Sequence, residues 1–121
     1  MTLPEEFRIR VITLSDRAHR GNYADLSGPA VVKYVRYAMA AAGWKYEIRN
    51  DILPDDAGAL LAALTESPSV DLIITTGGTG IGPRDITPDV VRPLLTKEIP
   101  GIMEQIRVKY GTKNPNALLS R

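Results

Sequence analysis

Residues 70–89 read VDLIITTGGTGIGPRDITPD, and this stretch decides the fold class of the chain. Its first six residues form a nearly continuous apolar run, which is typical of a strand covered on both faces in a parallel sheet. Four glycines follow between residues 77 and 82, and Thr87-Pro88-Asp89 then has the cap, the proline and the acid that begin a helix. The stretch therefore predicts a strand, a loop and a helix of an α/β domain.

The loop at residues 76–89 has the composition of an anion-binding loop, although it matches neither GxxxxGK[ST] nor GxGxxG. Glycines allow the backbone to approach a ligand closely, and they let successive N–H groups point at an anion. The predicted helix start near Thr87 adds a partial positive charge. A flexible turn is the alternative, but the neighbouring Thr, Arg and Asp residues directly after a buried strand favour a binding loop.

Two further strands are predicted upstream. Residues 7–15, FRIRVITLS, alternate at first and then become continuously apolar, so they indicate a strand that is buried toward its carboxyl end. Residues 44–49 alternate between apolar and charged side chains with a period of two, which indicates a partly exposed strand. The stretch between residues 16 and 27 is polar, and we interpret it as a functional or mobile loop.

Helices are predicted between and after these strands. The first is capped by Ser27, and the second is capped by Asp55 or Asp56. Pro93 kinks or ends the third helix early, and a fourth covers residues 99–110. The predicted buried faces of the first two helices consist of Val31, Val35, Met39, Ala42, Leu60, Leu61 and Leu64.

This order of elements predicts a three-layer α/β domain with a central, mostly parallel sheet, because strands that alternate with helices are joined by right-handed crossovers. We place the first and third strands side by side at the centre of the sheet. Ligands bind such sheets outside the carboxyl ends of the strands. Two polar loops, at residues 15–27 and 76–89, leave those ends, so they are expected to meet at one cleft.

Length and composition exclude several classes of protein. The 121 residues make one domain, 1–121. The 15 Lys and Arg residues nearly balance the 14 Asp and Glu residues, so the net charge does not predict binding to nucleic acid or to an anionic membrane. With no Cys and with His19 as the only histidine, a disulfide scaffold, a thiolate nucleophile and a histidine-built zinc site are excluded. No apolar run approaches the roughly 18 residues of a membrane span, and the start resembles no secretory signal, so we expect a cytoplasmic protein.

Several carboxylates fall on the predicted cleft side: Asp16, Asp25, Asp55, Asp85 and Asp89. Because bare acids would repel a bound phosphate, they indicate a divalent cation, and magnesium takes one or two carboxylates with phosphate oxygens and water. N-capping is the alternative for Asp55 or Asp56 and, in part, for Asp89. We interpret Ser15 as a hydrogen-bonding ligand contact, because no general base is evident beside it. Three arginines can clamp phosphates or carboxylates: Arg17, Arg20 and Arg84.

Five segments of the chain form an ordered series of motifs. They are Ser15-Asp16-Arg17-Ala18 followed by Tyr23, Asp25 and Ser27-Gly28; Leu53-Pro54-Asp55; the glycine-rich segment from Thr75-Thr76-Gly77-Gly78-Thr79-Gly80 to Arg84-Asp85-Ile86-Thr87-Pro88-Asp89; Pro100-Gly101; and Ala117-Leu118-Leu119-Ser120-Arg121. The series resembles that of the MogA-type molybdopterin adenylyltransferases. The similarity covers essentially the whole chain, and the glycine-rich segment is its most specific part.

The resemblance implies a reaction and a site. MogA-type enzymes transfer AMP from ATP to the phosphate of molybdopterin and release pyrophosphate, with magnesium required, before molybdenum is inserted. By this resemblance, Asp55 and Asp85 are the catalytic acids, and we expect them to hold the magnesium. The expected substrate-binding residues are Ser15, Asp16, Asp25, Thr76, Gly77, Gly78, Thr79, Gly80, Arg84 and Ser120. An α/β fold, a homotrimer and a molybdenum insertase as partner are implied as well.

The chain departs from the family at its end: either the sequence is a partial chain, or the protein lacks part of its site. Two alternatives to the transferase function also stay open. Members of the family continue past the Leu-Ser-Arg element into another strand and a last helix, whereas this sequence stops at Arg121, so we expect that strand and helix to be missing. A MoaB-like protein that binds pterin or nucleotide with little or no turnover is the first alternative, and the Ser15-Asp16-Arg17-Ala18 start favours the transferase over it. A domain of a larger molybdenum-cofactor protein is the second, and the short segment before the first strand argues against it.

Overall fold

The computed structural model describes residues 2–66 and 69–121. Within these ranges the elements follow in the order β1 (Phe7–Leu14), α1 (Asp16–His19), α2 (Ser27–Ala42), β2 (Tyr46–Leu53), α3 (Ala57–Thr65), β3 (Leu72–Thr76), α4 (Thr87–Val91) and α5 (Pro100–Gly111). Short 3₁₀ turns follow α4 at Arg92–Leu94 and α5 at Pro115–Leu119. Strands therefore alternate with helices, as the predicted α/β class requires.

The three strands form one parallel sheet in the order β2-β1-β3. Ile9 of β1 lies opposite Ile48 of β2 on one side and Leu72 of β3 on the other. The prediction of a parallel sheet with β1 beside β3 is confirmed. The prediction that both strands are central is wrong for β3, because β2 pairs with the far side of β1 and, among the described strands, only β1 has two neighbours.

β1 is the most deeply buried element, with every side chain from Ile9 to Leu14 buried. Ile12 and Leu14 belong to a core cluster that includes Leu60 of α3, which lies on one face of the sheet. On the other face, Thr13 approaches the start of α2 so closely that a side chain on Gly28 would overlap the Thr13 hydroxyl. Helices on both faces give the three predicted layers.

The buried faces of the helices differ from the prediction at two positions. Leu60 of α3 is fully buried, whereas Leu61 is 45% exposed and Ala63 takes its place in the core. Residues three or four positions apart share a helix face and adjacent residues do not, so Leu61 turns away from the sheet. In α2, Met39 is buried but Ala42 is exposed.

The polar stretch after β1 is not entirely a loop, because its first residues form α1. The Ser15 hydroxyl caps this short helix by accepting the Ala18 N–H at 3.2 Å. The predicted cap of α2 is wrong: Ser27 is its first residue, and the Asp25 carboxylate accepts the Gly28 N–H at 3.1 Å. Asp25, two positions before the first residue of α2, therefore provides the acceptor for a free N–H group at the start of this helix.

The second and third strands begin later than predicted. β2 begins at Tyr46 and continues to Leu53, beyond the predicted residues 44–49, because it pairs with β1 along its whole length. Trp44 lies before the strand and stacks on Phe7, with 5.0 Å between the ring centroids. β3 begins at Leu72, and α4 ends before Pro93, as predicted.

α5 carries an apolar stripe that no described part of the chain covers. Ile102, Ile106 and Tyr110 lie in line, as predicted, and they are 63%, 42% and 55% exposed. Despite this stripe, none of the helices within the described ranges is both long enough and apolar enough to cross a membrane.

Candidate functional site

A cleft of about 540 Å³ opens at the carboxyl ends of β1 and β3. It is lined by Thr13, Leu14, Ser15, Asp16, Arg17, Arg20, Tyr23, Asp25, Leu26, Ser27, Asp55, Gly77, Gly78 and Asp85. The prediction that the loops after β1 and β3 meet at one cleft is confirmed. Open α/β sheets bind ligands in this place, outside the strand ends.

The structure separates the predicted site residues into two groups. Those that line the cleft are Ser15, Asp16, Asp25, Asp55, Gly77, Gly78 and Asp85. Those that do not line it are Thr76, Thr79, Gly80, Arg84 and Ser120. Of the second group, Arg84 binds a lining residue, and the hydroxyl oxygens of Thr79 and Ser120 lie 3.5 Å apart. His19 is exposed at the end of α1 and is not part of the cleft wall.

Two reciprocal hydrogen bonds join the loops that follow β1 and β2. The Asp16 N–H donates to Asp55 Oδ2 at 3.0 Å, and the Asp55 N–H donates to Asp16 Oδ1 at 2.9 Å. Asp56 caps α3 by accepting the Ala59 N–H at 2.8 Å, which decides between the two capping candidates. Asp55 therefore belongs to the cleft and not to the helix.

Arg84 brings the third loop to the same place. Its Nε donates to Asp16 Oδ2 at 2.6 Å, and its Nη2 donates to Asp16 Oδ1 at 3.0 Å. The Arg84 hydrogen bonds, together with the Asp55 N–H, lower the pKa of Asp16 to about 2, and Asp16 raises the pKa of Arg84. Both residues are predicted substrate ligands, and the structure shows that they bind each other in a bidentate pair.

One oxygen of Asp55 is buried without a partner. Oδ2 accepts the Asp16 N–H, but no described residue forms a hydrogen bond with Oδ1. This oxygen faces the glycine loop, because a Cβ added to Gly78 would lie 3.3 Å from it. A buried carboxylate oxygen without a partner costs free energy, so its position suits a cation or a hydrogen-bond donor that a ligand brings.

The glycine turn after β3 has a shape that other residues cannot adopt. Gly77 and Gly78 have left-handed φ angles of +92° and +67°, and a side chain at Gly77 would overlap the Leu14 carbonyl. The Thr87 hydroxyl donates to the Gly77 carbonyl at 2.9 Å, and the Thr87 N–H donates to the Gly78 carbonyl at 3.0 Å. Thr87 therefore braces the glycine turn, and the prediction that it caps α4 is wrong, because Ile86 occupies the cap position.

Asp85 is tied into the glycine loop. Its Oδ2 accepts the Gly82 N–H at 2.9 Å, and its own N–H donates to the Gly82 carbonyl at 3.1 Å. A Cβ at Gly80 would come within 2.7 Å of the same carboxylate oxygen. The loop therefore curves around this carboxylate and presents it at the cleft.

Asp25 lines the cleft, but both of its carboxylate oxygens have partners in the protein. The Thr13 hydroxyl donates to Oδ2 at 2.8 Å, and the Gly28 N–H donates to Oδ1 at 3.1 Å. Asp25 therefore stabilises the start of α2 and connects it to β1. Its contact with a substrate stays a prediction.

Tyr23 is a cleft residue for which the sequence indicated no role. Its hydroxyl lies 3.0 Å from Ser15 Oγ, and the Arg17 guanidinium carbon lies 5.6 Å from the centre of its ring. The ring is half exposed and gives the cleft a flat aromatic wall. An aromatic residue within a polar loop is the signal that could have identified it.

The acids of the cleft fit a magnesium ion that arrives with a phosphate ligand. Across residues 2–66 and 69–121, no group of three or more His, Cys, Asp or Glu side chains could hold a metal. Magnesium needs only one or two carboxylates when phosphate oxygens and water complete its shell. Asp55 offers an unpartnered oxygen, and Asp85 lines the same cleft.

The molecule is an α/β protein with a parallel sheet, and its glycine turn and acids lie at the carboxyl ends of the strands, where open sheets of this class bind ligands. A family model described as "Probable molybdopterin binding domain" matches residues 10–121, and the chain belongs to this family.

Relatives and solved structures agree with this membership. The chain is 35% identical to the molybdopterin adenylyltransferase of Escherichia coli (strain K12) over 94% of its residues, and 36% identical to that of Helicobacter pylori (strain J99) over 97%. It spans 58% and 66% of the lengths of these two relatives. The tungsten cofactor synthesizing protein MoaB from Pyrococcus furiosus aligns with a TM-score of 0.79 at 33% identity, over 98% of this chain and 72% of that one.

Proposed function

We propose that this chain is a molybdopterin adenylyltransferase of molybdenum cofactor biosynthesis. A phosphate oxygen of molybdopterin attacks the α-phosphorus of ATP, the bond from that phosphorus to the β-bridging oxygen breaks, and pyrophosphate leaves. The names of the relatives support the reaction class. The observation that carries the proposal is the unpartnered Oδ1 of Asp55, which faces the glycine turn in the cleft.

The charges of the cleft suit two phosphorylated substrates. Arg17 and Arg20 line it as cations, while the charge of Asp16 is already balanced by Arg84. Asp25 also lines the cleft, but protein donors bind both of its oxygens, so Asp55 and Asp85 are the acids that a phosphate would meet. A divalent cation between these carboxylates and the phosphate oxygens would make them compatible.

Asp55 and Asp85 are the residues that would hold Mg²⁺. When bound, the ion neutralises negative charge that grows on the leaving pyrophosphate. The protein prepares these side chains in advance, because the Asp16 N–H fixes one carboxylate and the Gly82 N–H fixes the other. Such fixed groups need no rearrangement during the reaction.

The wall of the cleft supports the binding of a flat heterocycle. Tyr23 presents its ring beside the cleft, and its hydroxyl and that of Ser15 are hydrogen-bonded to each other. Pterin and adenine are both flat rings with polar edges, and aromatic side chains stack on such rings. We assign to the Tyr23 ring the stacking on the pterin or adenine ring, and to the Ser15 hydroxyl a hydrogen bond with the polar edge of that ring.

The direct test is incubation of the chain with molybdopterin, ATP and Mg²⁺, followed by mass detection of adenylyl-molybdopterin. We expect one pyrophosphate for each product molecule. The Asp55→Asn variant should lose the product, while Asp56→Asn, which alters the neighbouring cap of α3, should keep it. A wild-type chain that binds molybdopterin and ATP but forms no product would contradict the proposal.

A second candidate is a MoaB-like protein that binds pterin or nucleotide with little or no turnover. Fold similarity does not separate it from the transferase, because MoaB from Pyrococcus furiosus aligns with a TM-score of 0.79 and a solved MogA structure with 0.76. The same incubation distinguishes the two candidates, since binding without product identifies the second.

A homotrimer, a molybdenum insertase partner and a cytoplasmic location complete the proposal, and the family resemblance is their basis. The uncovered stripe of Ile102, Ile106 and Tyr110 supports contact between copies, because large exposed apolar patches mark interaction sites. Sedimentation equilibrium should give the mass of a trimer. A monomer at micromolar concentration would contradict this part.

A further inference from the structure

Arg121 binds three separate points of the glycine loop and one point of α4. Its N–H donates to the Thr79 carbonyl at 2.7 Å, its Nε to the Gly80 carbonyl at 2.9 Å, and its Nη2 to the Asp85 carbonyl at 2.6 Å. Nη1 and Nη2 also donate to the two carboxylate oxygens of Asp89, each at 3.1 Å. One residue therefore connects both ends of the loop to the helix that follows it.

The arginine side chain is suited to this set of partners because its planar fork offers five donors in fixed directions. The side chains of Arg121 and Asp89 are 38% and 59% exposed, so their ion pair contributes little stability by itself. The two hydrogen bonds that the side chain donates to the Gly80 and Asp85 carbonyls are the specific part of the arrangement. Their effect is on the orientation of the loop peptides.

That orientation matters because a peptide unit is planar and trans, so its C=O and N–H point in opposite directions. Turning the Thr79 carbonyl toward Arg121 directs the Gly80 N–H away from it. The same holds for the Gly80 and Asp85 carbonyls and the N–H groups of the residues that follow them. An anion-binding loop needs its N–H groups, and not its carbonyl oxygens, on the ligand side.

We propose that Arg121 is a positioning residue, which binds carbonyl oxygens at both ends of the glycine loop and so holds the loop that presents Asp85 to the cleft. Asp89 anchors the guanidinium from α4. Arg121 does not line the cleft, so it acts through the loop and not by touching a substrate. The effect on the reaction rests on the proposed function, whereas the effect on the loop does not.

Hydrogen exchange of the loop amides tests the structural part. In Arg121→Gln, the hydrogen-bonded amides of Gly82 and Asp85 should exchange roughly tenfold faster, while those of β1 stay unchanged, because the opening is local. Arg121→Lys should fall in between, since it keeps the charge but lacks the planar fork. Arg92→Gln is the matched control, because it removes an exposed ion pair with Glu98 just after α4 and should leave the loop as in the wild type.

AMP-transfer kinetics test the consequence for the site. Arg121→Gln should raise the KM for ATP roughly tenfold and lower kcat less, because a loosened loop weakens ground-state binding. Unchanged loop exchange in Arg121→Gln, or the same change in Arg92→Gln, would overturn the assignment of Arg121. Faster exchange with an unaltered KM would also overturn it. A wild-type chain that transfers no AMP overturns the proposed function alone, and the exchange comparison then decides about Arg121.

Discussion

Two arginine–aspartate pairs in this molecule have the same chemistry and different surroundings. Arg10 Nε donates to Asp51 Oδ2 at 2.7 Å within the sheet, where the side chains are 11% and 29% exposed. Arg84 Nε donates to Asp16 Oδ2 at 2.6 Å at the cleft, where Arg84 is 63% exposed. The first arginine also donates to the Ala63 carbonyl of α3 at 2.6 Å, whereas the second lies open to solvent.

The two pairs have similar bond lengths, and they differ in the exposure of their arginines, 11% for Arg10 against 63% for Arg84. Breaking a buried pair leaves a charge without solvent or partner, whereas an exposed pair is replaced by water at little cost. Burial would raise the pKa of Asp51, but hydrogen bonds from Arg10 and Arg49 lower it overall. The pair in the sheet therefore supports the fold, and the pair at the cleft supports the site.

The largest expected effect comes from the pair in the sheet. Arg10→Leu should lower the free energy of unfolding by about 3 kcal/mol, because it leaves the Ala63 carbonyl without its donor and leaves Asp51 with the exposed Arg49 as its remaining arginine partner. Arg49→Gln is the matched control, since Arg49 binds the same carboxylate oxygen but is 63% exposed, and it should cost less than about 1 kcal/mol. Urea unfolding measures both, and equal losses would show that burial does not separate the two arginines.

The next largest effect should be on the rate of AMP transfer and not on stability. Asp55→Asn should lower the single-turnover rate of AMP transfer about a hundredfold, or roughly 2.7 kcal/mol, because it removes the charge that would hold Mg²⁺. Stability should change little, since Asn keeps an oxygen that can accept the Asp16 N–H and no described residue binds Asp55 Oδ1. We expect a similar rate loss for Asp85→Asn. A magnesium titration supplies the measurement, and wild-type rates in both variants would refute the assigned roles.

A smaller effect should follow when the cleft pair is broken. Arg84→Gln should change stability little, because solvent replaces the exposed guanidinium. It should weaken ATP binding roughly tenfold, because it leaves an uncompensated negative charge on Asp16 in the cleft. The double variant Asp16→Asn/Arg84→Gln removes both charges and should recover most of the affinity. Calorimetric titration with ATP distinguishes these outcomes, and a double variant as weak as the single one would contradict the charge argument.

The smallest expected effect is on the stability of the protein at acidic pH. The pKa of Asp16 is about 2 in the folded protein against an ordinary value of 3.8, so its pair contributes stability above about pH 4. That contribution should disappear as the pH falls from about 4 toward 2. Arg84→Gln removes the main cause of the lowered pKa, so the stability of this variant should depend less on pH over that interval. Urea unfolding at several pH values between 5 and 2 checks this, and parallel curves for both proteins would argue against it.

Local patterns in the sequence were sufficient to predict the α/β architecture. Alternating and continuous apolar runs predicted three strands, and apolar spacing predicted the helices between them, because burial of one face imposes a period on the chain. The position of the cleft followed as well, since the carboxyl ends of parallel strands lie at one edge. The errors within this scheme concern the position of β3 in the sheet, the exposure of Leu61 and Ala42, and the caps of α2 and α4. Residue type alone does not decide which of several polar side chains near a helix start accepts its N–H groups.

Residue types and their order along the chain thus determined the fold class, the glycine turn and the choice of acids at the cleft. Only the tertiary structure decided which of these groups are already bound to one another. Arg84 and Asp16 are 68 residues apart in sequence, and Arg121 lies 41 residues from Gly80. Such contacts depend on β3 lying beside β1, and local periodicity contains no information about strand order. For the same physical reason, no sequence pattern could show that one oxygen of Asp55 is left without a partner.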